Sequence, residues 1–489
     1  MPQAVALFDT HALRAMEAAA AASAGEGVLM QRAGEAAWRH LLDRWPDAQR
    51  ILVICGSGNN GGDGYALATH AITSGRHVDL IRLSEPRMPD ATAASRAFLA
   101  AGGHCQPFDG SLPATDVVVD ALFGIGLSRA PDAESSRLID AINAHGADVL
   151  AIDVPSGVDA DSGHVPGVAV FADLTVQFIA AHRGLATGAA LDHCGDKVVA
   201  RIGLAQEGHA PSAFALRRDD LQRWLKPRRP DSHKGTFGHV LCIGGDSGHG
   251  GAIMLCCGAA LRAGAGLVSV ATRPAHVSPL LARRPEAMVV GIDDVSFVGD
   301  LISAASVIAI GPGLGTDKWG RALLEHALRA GKPLVIDADG LNLLAGSGQP
   351  LPADTILTPH PGEAARLLGI DTHAVQVDRF AAASALVRRF GTVVVLKGAG
   401  TIVAAPGQAP CVIDAGNPGM AVGGMGDLLT GVIAALRAQG LNAFDAARCG
   451  ALLHAVAGDV AAQDGGQRGL LPSDLLHCIR QLSNQAVAP

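Results

Sequence analysis

Several short stretches of the chain place glycines next to side chains that can hold an anion, hold a cation or move a proton. The first is GSGNNGGDG at 56–64, where Asn59, Asn60, Gly61, Gly62 and Asp63 put two amides and a carboxylate into one turn. Glycine there lets backbone N–H groups approach a phosphate, and the side chains supply more polar machinery than a turn needs. No GK[ST] follows, so the loop is not a P-loop. Asp120 in VVDALFGIGLSR and Asp153 with Ser156 in AIDVPSGVDADSG are further oxygen donors, of the kind that suits a hard cation. A helix cap or a turn accounts for any one of these aspartates singly. Three such positions together point instead to a shared site. In the second half, GGDSGHGG (244–251), GPGLG (311–315), TPHPGEAARLLG (358–369) and LKGAGT (396–401) repeat the pattern. There NPGMAVGGMGD (417–427) ends on Asp427, where a carboxylate at a helix entrance could take a proton from a hydroxyl beside a bound phosphate chain.

These residues must be positioned by strands and helices. Short β-branched runs alternate with longer Ala/Leu-rich segments from residue 51 on, the signature of βα units in a parallel sheet, so the fold class is α/β. Strands are expected at 51–56, 77–83, 116–122, 149–154 and 173–178, after a helical stretch at 9–43. In the second half they are expected at 239–245, 267–272, 307–313, 334–339, 355–360, 392–398 and 401–406. Leu428, Leu429, Val432, Ile433 and Leu436 recur at helical spacing, as do Leu452, Leu453, Val456 and Val460, which makes them core. The carboxyl ends of parallel strands converge on one crevice, so Asn60, Asp120, Asp153 and Ser156 fit one site. Length, 489 residues, argues for two or three domains. The boundaries are drawn as 1–212, a linker and start of the second domain at 213–238, and a second domain over 219–489. The basic pair Arg228 and Arg229 falls in that linker and is read as solvated.

Composition removes whole classes of function. With 38 basic against 46 acidic residues the formal charge is −8, which gives no electrostatic reason for nucleic acid or an anionic membrane as partner. Aromatics are only 3%, leaving little surface for stacking bases. Nine scattered cysteines without a CxxC pair suggest neither a disulfide framework nor a zinc site. No signal peptide or apolar run of membrane-spanning length stands out, and a cytoplasmic location is expected.

GSGNNGGDG, VVDALFGIGLSR and AIDVPSGVDADSG, in that order and spacing, resemble the NAD(P)HX epimerase family with its YjeF N-terminal-like modules, over about residues 10–211. The resemblance implies a Rossmann-like domain that interconverts the two epimers of hydrated NAD(P)H. Asn59, Asn60, Gly61, Gly62 and Asp63, with Gly124, Ile125, Gly126, Leu127, Ser128, Arg129 and Ala130, would line the dinucleotide site. Asp153 would stand at the reacting ring, and Asn60, Asp120 and Ser156 would hold a potassium ion. One departure is His182, where the family often has Lys; if that lysine contacts phosphate, His182 or Arg183 must replace it.

The second half carries KGTFGHV (234–240), GPGLG, TPHPGE, LKGAGT and NPGMAVGGMGD in order. It is similar to the ribokinase-like superfamily and specifically to the ADP-dependent NAD(P)HX dehydratases, over about 219–487. That resemblance implies that Lys397, Gly398, Ala399, Gly400, Thr401 and Gly426 bind ADP, and that Ala252, Gly313, His360 and Asp427 meet the hydrated dinucleotide. Magnesium is expected with ADP because the polyphosphate charge needs neutralising. The implied substrates are NAD(P)HX and ADP; assembly into a homo-oligomer stays open. The alternatives are a ribokinase-like kinase for a small alcohol with a regulatory N-terminal module, and an N-terminal half that only binds. The polar set of Asn60, Asp120, Asp153 and Ser156 argues against the last.

Overall fold

The computed structural model describes residues 4–25, 27–127, 129–204 and 208–484. The chain forms two compact units, one of Val5–Ala213 and one running from Phe214 onward, which also takes in Ala4.

In the first unit the strands are β1 (Val5–Phe8), β2 (Arg50–Cys55), β3 (His77–Arg82), β4 (Cys105–Pro107), β5 (Val117–Ala121), β6 (Asp148–Ile152), β7 (Leu174–Phe178), β8 (Ala181–His182) and β9 (Asp196–Ala200). Seven of them build a parallel sheet in the order β4-β3-β2-β5-β6-β7-β9. From β2 the chain first moves outward to β3 and β4, then returns to add β5 on the other side. The loops after β2 and β5 therefore diverge and leave a crevice at their carboxyl ends. They stay close at their base, since a Cβ on Gly56 would lie 1.9 Å from the carbonyl oxygen of Leu122. The helical stretch expected at 9–43 is two helices, Thr10–Ala24 and Val28–Arg44, separated where Gly25 and Gly27 take φ of 93° and 71°. The short β1–β8 pair, Leu7 with Ala181 and Phe8 with His182, was not visible in the sequence, and it fixes His182.

The second unit contains β10 (Ala213–Leu216), β11 (His239–Ile243), β12 (Leu267–Thr272), β13 (Met288–Gly291), β14 (Val307–Ile310), β15 (Leu334–Ile336), β16 (Thr355–Leu357), β17 (Val393–Leu396), β18 (Ile402–Ala404) and β19 (Cys411–Ile413). Their order is β13-β12-β11-β14-β15-β16-β17-β18-β19-β10, parallel as far as β17, then antiparallel through β18 to β19. The helical stripe Leu428, Leu429, Val432, Ile433 and Leu436 is buried, as are Leu452, Leu453 and Val456. The helix Met425–Ala438 lies so close to Gly250–Arg262 that a Cβ on Gly431 would meet the Cys256 carbonyl oxygen at 2.1 Å.

The stretch 213–238, read from sequence as a linker, is folded. It supplies β10 and the 3-10 turns Arg218–Arg223 and Lys234–Phe237. Arg228 lies 3.5 Å over the Phe237 ring and donates to the Gly264 carbonyl and to Gln439 Oε1. A four-residue strand whose partner is Cys411–Ile413, nearly two hundred residues away, leaves no local periodicity to detect.

Candidate functional sites

The loops that leave β2, β5 and β6 in the first unit surround a cavity of about 670 Å³. Asn59, Asn60, Asp63, Gly124, Ile125, Gly126, Leu127 and Asp153 line it, with His182 and Glu17. Gly61 and Gly62 lie buried in the first turn of the helix Asn59–Thr73 and do not face the cavity. Arg129 and Ala130 line an adjoining pocket of about 380 Å³ that shares Gly126 and Leu127 with the first. Ser128 lies outside the described residues.

Asp153 is the most constrained residue of this cavity. Its φ is +66°, rare for a residue with a side chain, and such backbone strain persists only where the surroundings enforce it. Its N–H donates to the Val176 carbonyl at 2.8 Å. One carboxylate oxygen lies 2.7 Å from His182 Nε2, and the other accepts from Ile125 N at 3.3 Å. His182 is buried, its side chain only 1% exposed, and its N–H donates to Gln177 Oε1 at 2.7 Å. The expectation that His182 or Arg183 takes a phosphate is therefore not met by His182, whose ring is committed to Asp153. Arg183 Nε donates to the Asp161 carbonyl at 3.1 Å. Burial pushes the Asp63 carboxyl well up, with Asp153 and Glu17 adding repulsion, and Glu17 is raised by burial and then by Asp153. A protonated Asp63 can donate to a ligand.

Asp120 and Ser156 lie beneath the cavity. Asp120 accepts from Ser156 N at 2.7 Å and from Ser156 Oγ at 2.6 Å, and Ser156 Oγ accepts from Phe123 N at 2.8 Å. Burial pushes the Asp120 carboxyl up to about 6, against the hydrogen bonds from Ser156 and Leu122 that favour its charge. Both amide atoms of Asn60 are buried without a hydrogen-bond partner. Among the described residues no group of three or more His, Cys, Asp or Glu is arranged to hold a metal. An amide, a carboxylate and a hydroxyl are a donor set for a weakly held hard cation rather than for zinc.

In the second unit the loops after β11 and β14 bring Ala252 and Gly313 together, a Gly313 Cβ being 3.2 Å from that of Ala252. The other predicted residues meet around an ion pair that the sequence did not reveal. Lys397, just after β17, places Nζ 2.6 Å from Asp337 Oδ1 and 3.7 Å from Glu363 Oε2. Thr430 Oγ1 donates to the other Asp337 oxygen at 2.8 Å. Burial acts to raise the Asp337 carboxyl, but the Lys397 ammonium and the hydroxyls of Thr430 and Thr358 outweigh it and hold it below the usual carboxylate value. A Cβ on Gly426 would sit 3.1 Å from Lys397 Nζ, so glycine here lets the helix entrance approach the ammonium. Asp427 occupies the first turn of Met425–Ala438, whose cap Gly424 has φ +96°. Burial, then repulsion from Asp337, pushes its carboxyl up to about 7, with Lys397 opposing. A carboxylate tuned to neutral pH is poised to accept a proton.

His360 caps the helix Pro361–Leu368, its Nδ1 accepting from Gly362 N and Glu363 N at 3.0 and 3.3 Å. That puts the proton on Nε2, and burial followed by the nearby Lys397 and Arg366 lowers the imidazole pKa. Gly398, Ala399, Gly400 and Thr401 form the turn between β17 and β18, where Gly398 takes φ +134°. Arg379, buried in the helix Arg379–Phe390, braces that turn by donating to the carbonyls of Leu396 and Lys397 at 3.3 and 3.2 Å. No motif marked Arg379 in the sequence. Asp337 falls in the strand expected at 334–339, with nothing else to mark it.

Among protein-family models, residues 240–481 match NAD(P)H-hydrate dehydratase and residues 26–184 match the YjeF-related protein N-terminus. The chain is 47% identical over 488 residues to the bifunctional NAD(P)H-hydrate repair enzyme of Coxiella burnetii, covering 98% of this chain and 99% of that one. It is 46% identical over 464 residues to the enzyme of the same description from Escherichia coli K12, covering 94% and 90%. Among solved structures, a ribokinase-like superfamily protein from Enterococcus faecalis aligns with TM-score 0.54 and 32% identity, covering 57% of this chain and 98% of that one. A hypothetical protein from Streptococcus mutans aligns with TM-score 0.52 and 33% identity, over 56% and 99%. Among the described residues no helix is long and apolar enough to cross a membrane.

Proposed function

The chain belongs to the family of bifunctional NAD(P)H-hydrate repair enzymes, and from that premise we propose how its residues divide the two reactions. The first unit epimerises (R)- and (S)-NAD(P)HX in the cavity around Asp153. The second dehydrates the S epimer at the expense of ADP. The observation that carries this division is that each unit holds its own constrained carboxylate, Asp153 clamped by His182 in one and Asp427 beside the Asp337–Lys397 pair in the other.

In the first unit Asn59, Asn60, Asp63 and Gly124–Leu127 bind the dinucleotide, with Arg129 and Ala130 in the adjoining pocket and Gly61 and Gly62 shaping the turn from behind. Asp153 moves the proton on oxygen as the hydroxyl leaves the ring carbon whose configuration changes, pushed off as water by the ring nitrogen's lone pair, and as water re-adds to the opposite face; the His182 Nε2–H holds the carboxylate in place. Asn60, Asp120 and Ser156 are the residues that would hold a potassium ion, which the partnerless Asn60 amide and the buried Asp120 carboxyl fit. When bound, the ion would supply positive charge under the substrate-binding loops. Exchanging potassium for tetramethylammonium is expected to lower epimerase turnover several-fold, and Asn60→Ala to remove most of that response. Equal rates of the wild type in both salts would contradict the assignment.

In the second unit Asp427 takes the proton from the C6 hydroxyl as that oxygen attacks the terminal phosphoryl group of Mg·ADP. The oxygen–phosphorus bond of ADP breaks and AMP departs; loss of the new phosphate from C6 with a neighbouring proton then restores NAD(P)H. The amides at the Met425–Ala438 entrance, with Gly426, and the turn Lys397–Thr401 hold the nucleotide. Ala252, Gly313 and His360 face the hydrated dinucleotide. Because Arg379 braces the nucleotide turn, Arg379→Met should raise the KM for ADP about tenfold, the loss of one to two charged hydrogen bonds, with kcat less affected. Arg379→Lys should recover part of this, and steady-state kinetics in ADP checks both.

A mixture of both hydrate epimers with Mg·ADP tests the whole reading. Absorbance at 340 nm should recover fully, with one AMP and one phosphate released per NAD(P)H formed. A stable phosphorylated product with no absorbance gain would favour a small-molecule kinase instead.

A further inference from the structure

The basic pair Arg228 and Arg229 belongs to a cavity of about 540 Å³ in the second unit, lined also by Lys226, Arg262 and Arg480 and, among the described residues, by no carboxylate. Five cations in one cleft are unexpected in a chain of formal charge −8. Two of them have structural work: Lys226 Nζ donates to the Gln222 carbonyl at 2.7 Å, and Arg228 bonds Gly264 and Gln439 over the Phe237 ring. Arg229, Arg262 and Arg480 are exposed, and among the described residues their guanidinium groups have no hydrogen-bond or ion-pair partner.

The cavity is separate from the dehydratase site. It lies at the carboxyl ends of the helices Gly250–Arg262 and Met425–Ala438, whose opposite ends carry Ala252 and Asp427. At 1.5 Å per residue that places it roughly 15 Å away along the helix axes. Cations near helix carboxyl ends are favoured by the helix dipole, and Arg228 meets that need directly at Gly264. The three unpaired guanidiniums are in excess of it and line one cleft, where an anion would be attracted by all of them. Their planar donor forks match phosphate oxygens. The walls also include Trp224, Leu436 and Leu441, which give an apolar face to the rest of a ligand.

We propose that this cleft is a second binding site, for a small organic phosphate whose anionic group is held by Arg229, Arg262 and Arg480 and whose body lies against the apolar wall. Calorimetric titration of the full chain with 1-naphthyl phosphate, in parallel with 1-naphthol and inorganic phosphate, tests it. The wild type should bind naphthyl phosphate at least tenfold more tightly than either fragment. R229S/R262S/R480S should lose one site per chain while dehydratase turnover, which also reports folding, stays within twofold. The triple Arg→Lys variant should retain weakened binding, and Asp427→Asn should retain it unchanged. The proposal is overturned if the triple serine variant binds as the wild type does, if inorganic phosphate binds as well as the naphthyl ester, or if only an acidic peptide such as oligoglutamate binds.

Discussion

Asp427→Asn should slow dehydration of (S)-NAD(P)HX by about 10²- to 10⁴-fold, the range for losing a general base, while the two hydrate epimers still interconvert at the wild-type rate. The loss should appear mainly in kcat, because the amide retains the shape of the carboxylate and the nucleotide turn at Lys397–Thr401 is untouched. The wild-type pH profile carries a second expectation. With its carboxyl at about 7 in the free protein, Asp427 must lose its proton to act. Dehydratase kcat/KM therefore rises with pH through about 7 and levels off above it. Stability runs the other way. A carboxyl whose folded pKa lies above its unfolded value contributes stability at low pH that is lost as pH rises through the folded pKa. Asp427→Asn should therefore melt no lower than the wild type at pH 8, which separates a missing base from a damaged fold.

The largest expected effect on the other reaction comes from Asp153. Asp153→Asn should lower epimerisation by about 10²- to 10⁴-fold and leave dehydration of pure S hydrate intact. His182 acts through Asp153, by its 2.7 Å contact, and is a positioning residue. His182→Ala should therefore cost less, about tenfold to a hundredfold. Its ring is buried with Nε2 on Asp153, and the Gln177 oxygen is taken by the His182 backbone N–H, which leaves little of the side chain for a phosphate. A mutant with unchanged epimerase kcat but weakened substrate binding would restore the phosphate role first expected at this position.

These two carboxylates were legible in the sequence for different reasons. Asp427 follows glycines that open a strongly apolar helix, a local pattern. Asp153 ends an apolar strand and sits near Ser156, which is local as well. The partners were not legible, because each is brought in by tertiary structure. Lys397 reaches Asp337 across sixty residues of chain. His182 reaches Asp153 only because the two-residue strand β8 pairs with β1 near the start of the unit. Arg379 reaches the Lys397–Thr401 turn from a helix with no distinguishing composition. The same limit hid the folded state of 213–238, whose strand has its partner near residue 411. Alternation of strands and helices survives in a single sequence because it is periodic, and pairing between distant strand ends does not.

The reading proposed above puts two independent active sites on one chain, one around Asp153 in the first unit and one around Asp427 in the second. Complementation between two inactive variants tests it most directly. Pure (R)-NAD(P)HX with Mg·ADP is given to Asp153→Asn, to Asp427→Asn, and to an equal mixture of the two, and NAD(P)H is followed at 340 nm. The account predicts that neither variant alone converts the R hydrate faster than its uncatalysed epimerisation allows. The mixture should recover close to half the wild-type rate at the same total protein. A mixture as slow as its components, or an Asp153→Asn variant that consumes the R hydrate as fast as the S hydrate, would contradict it.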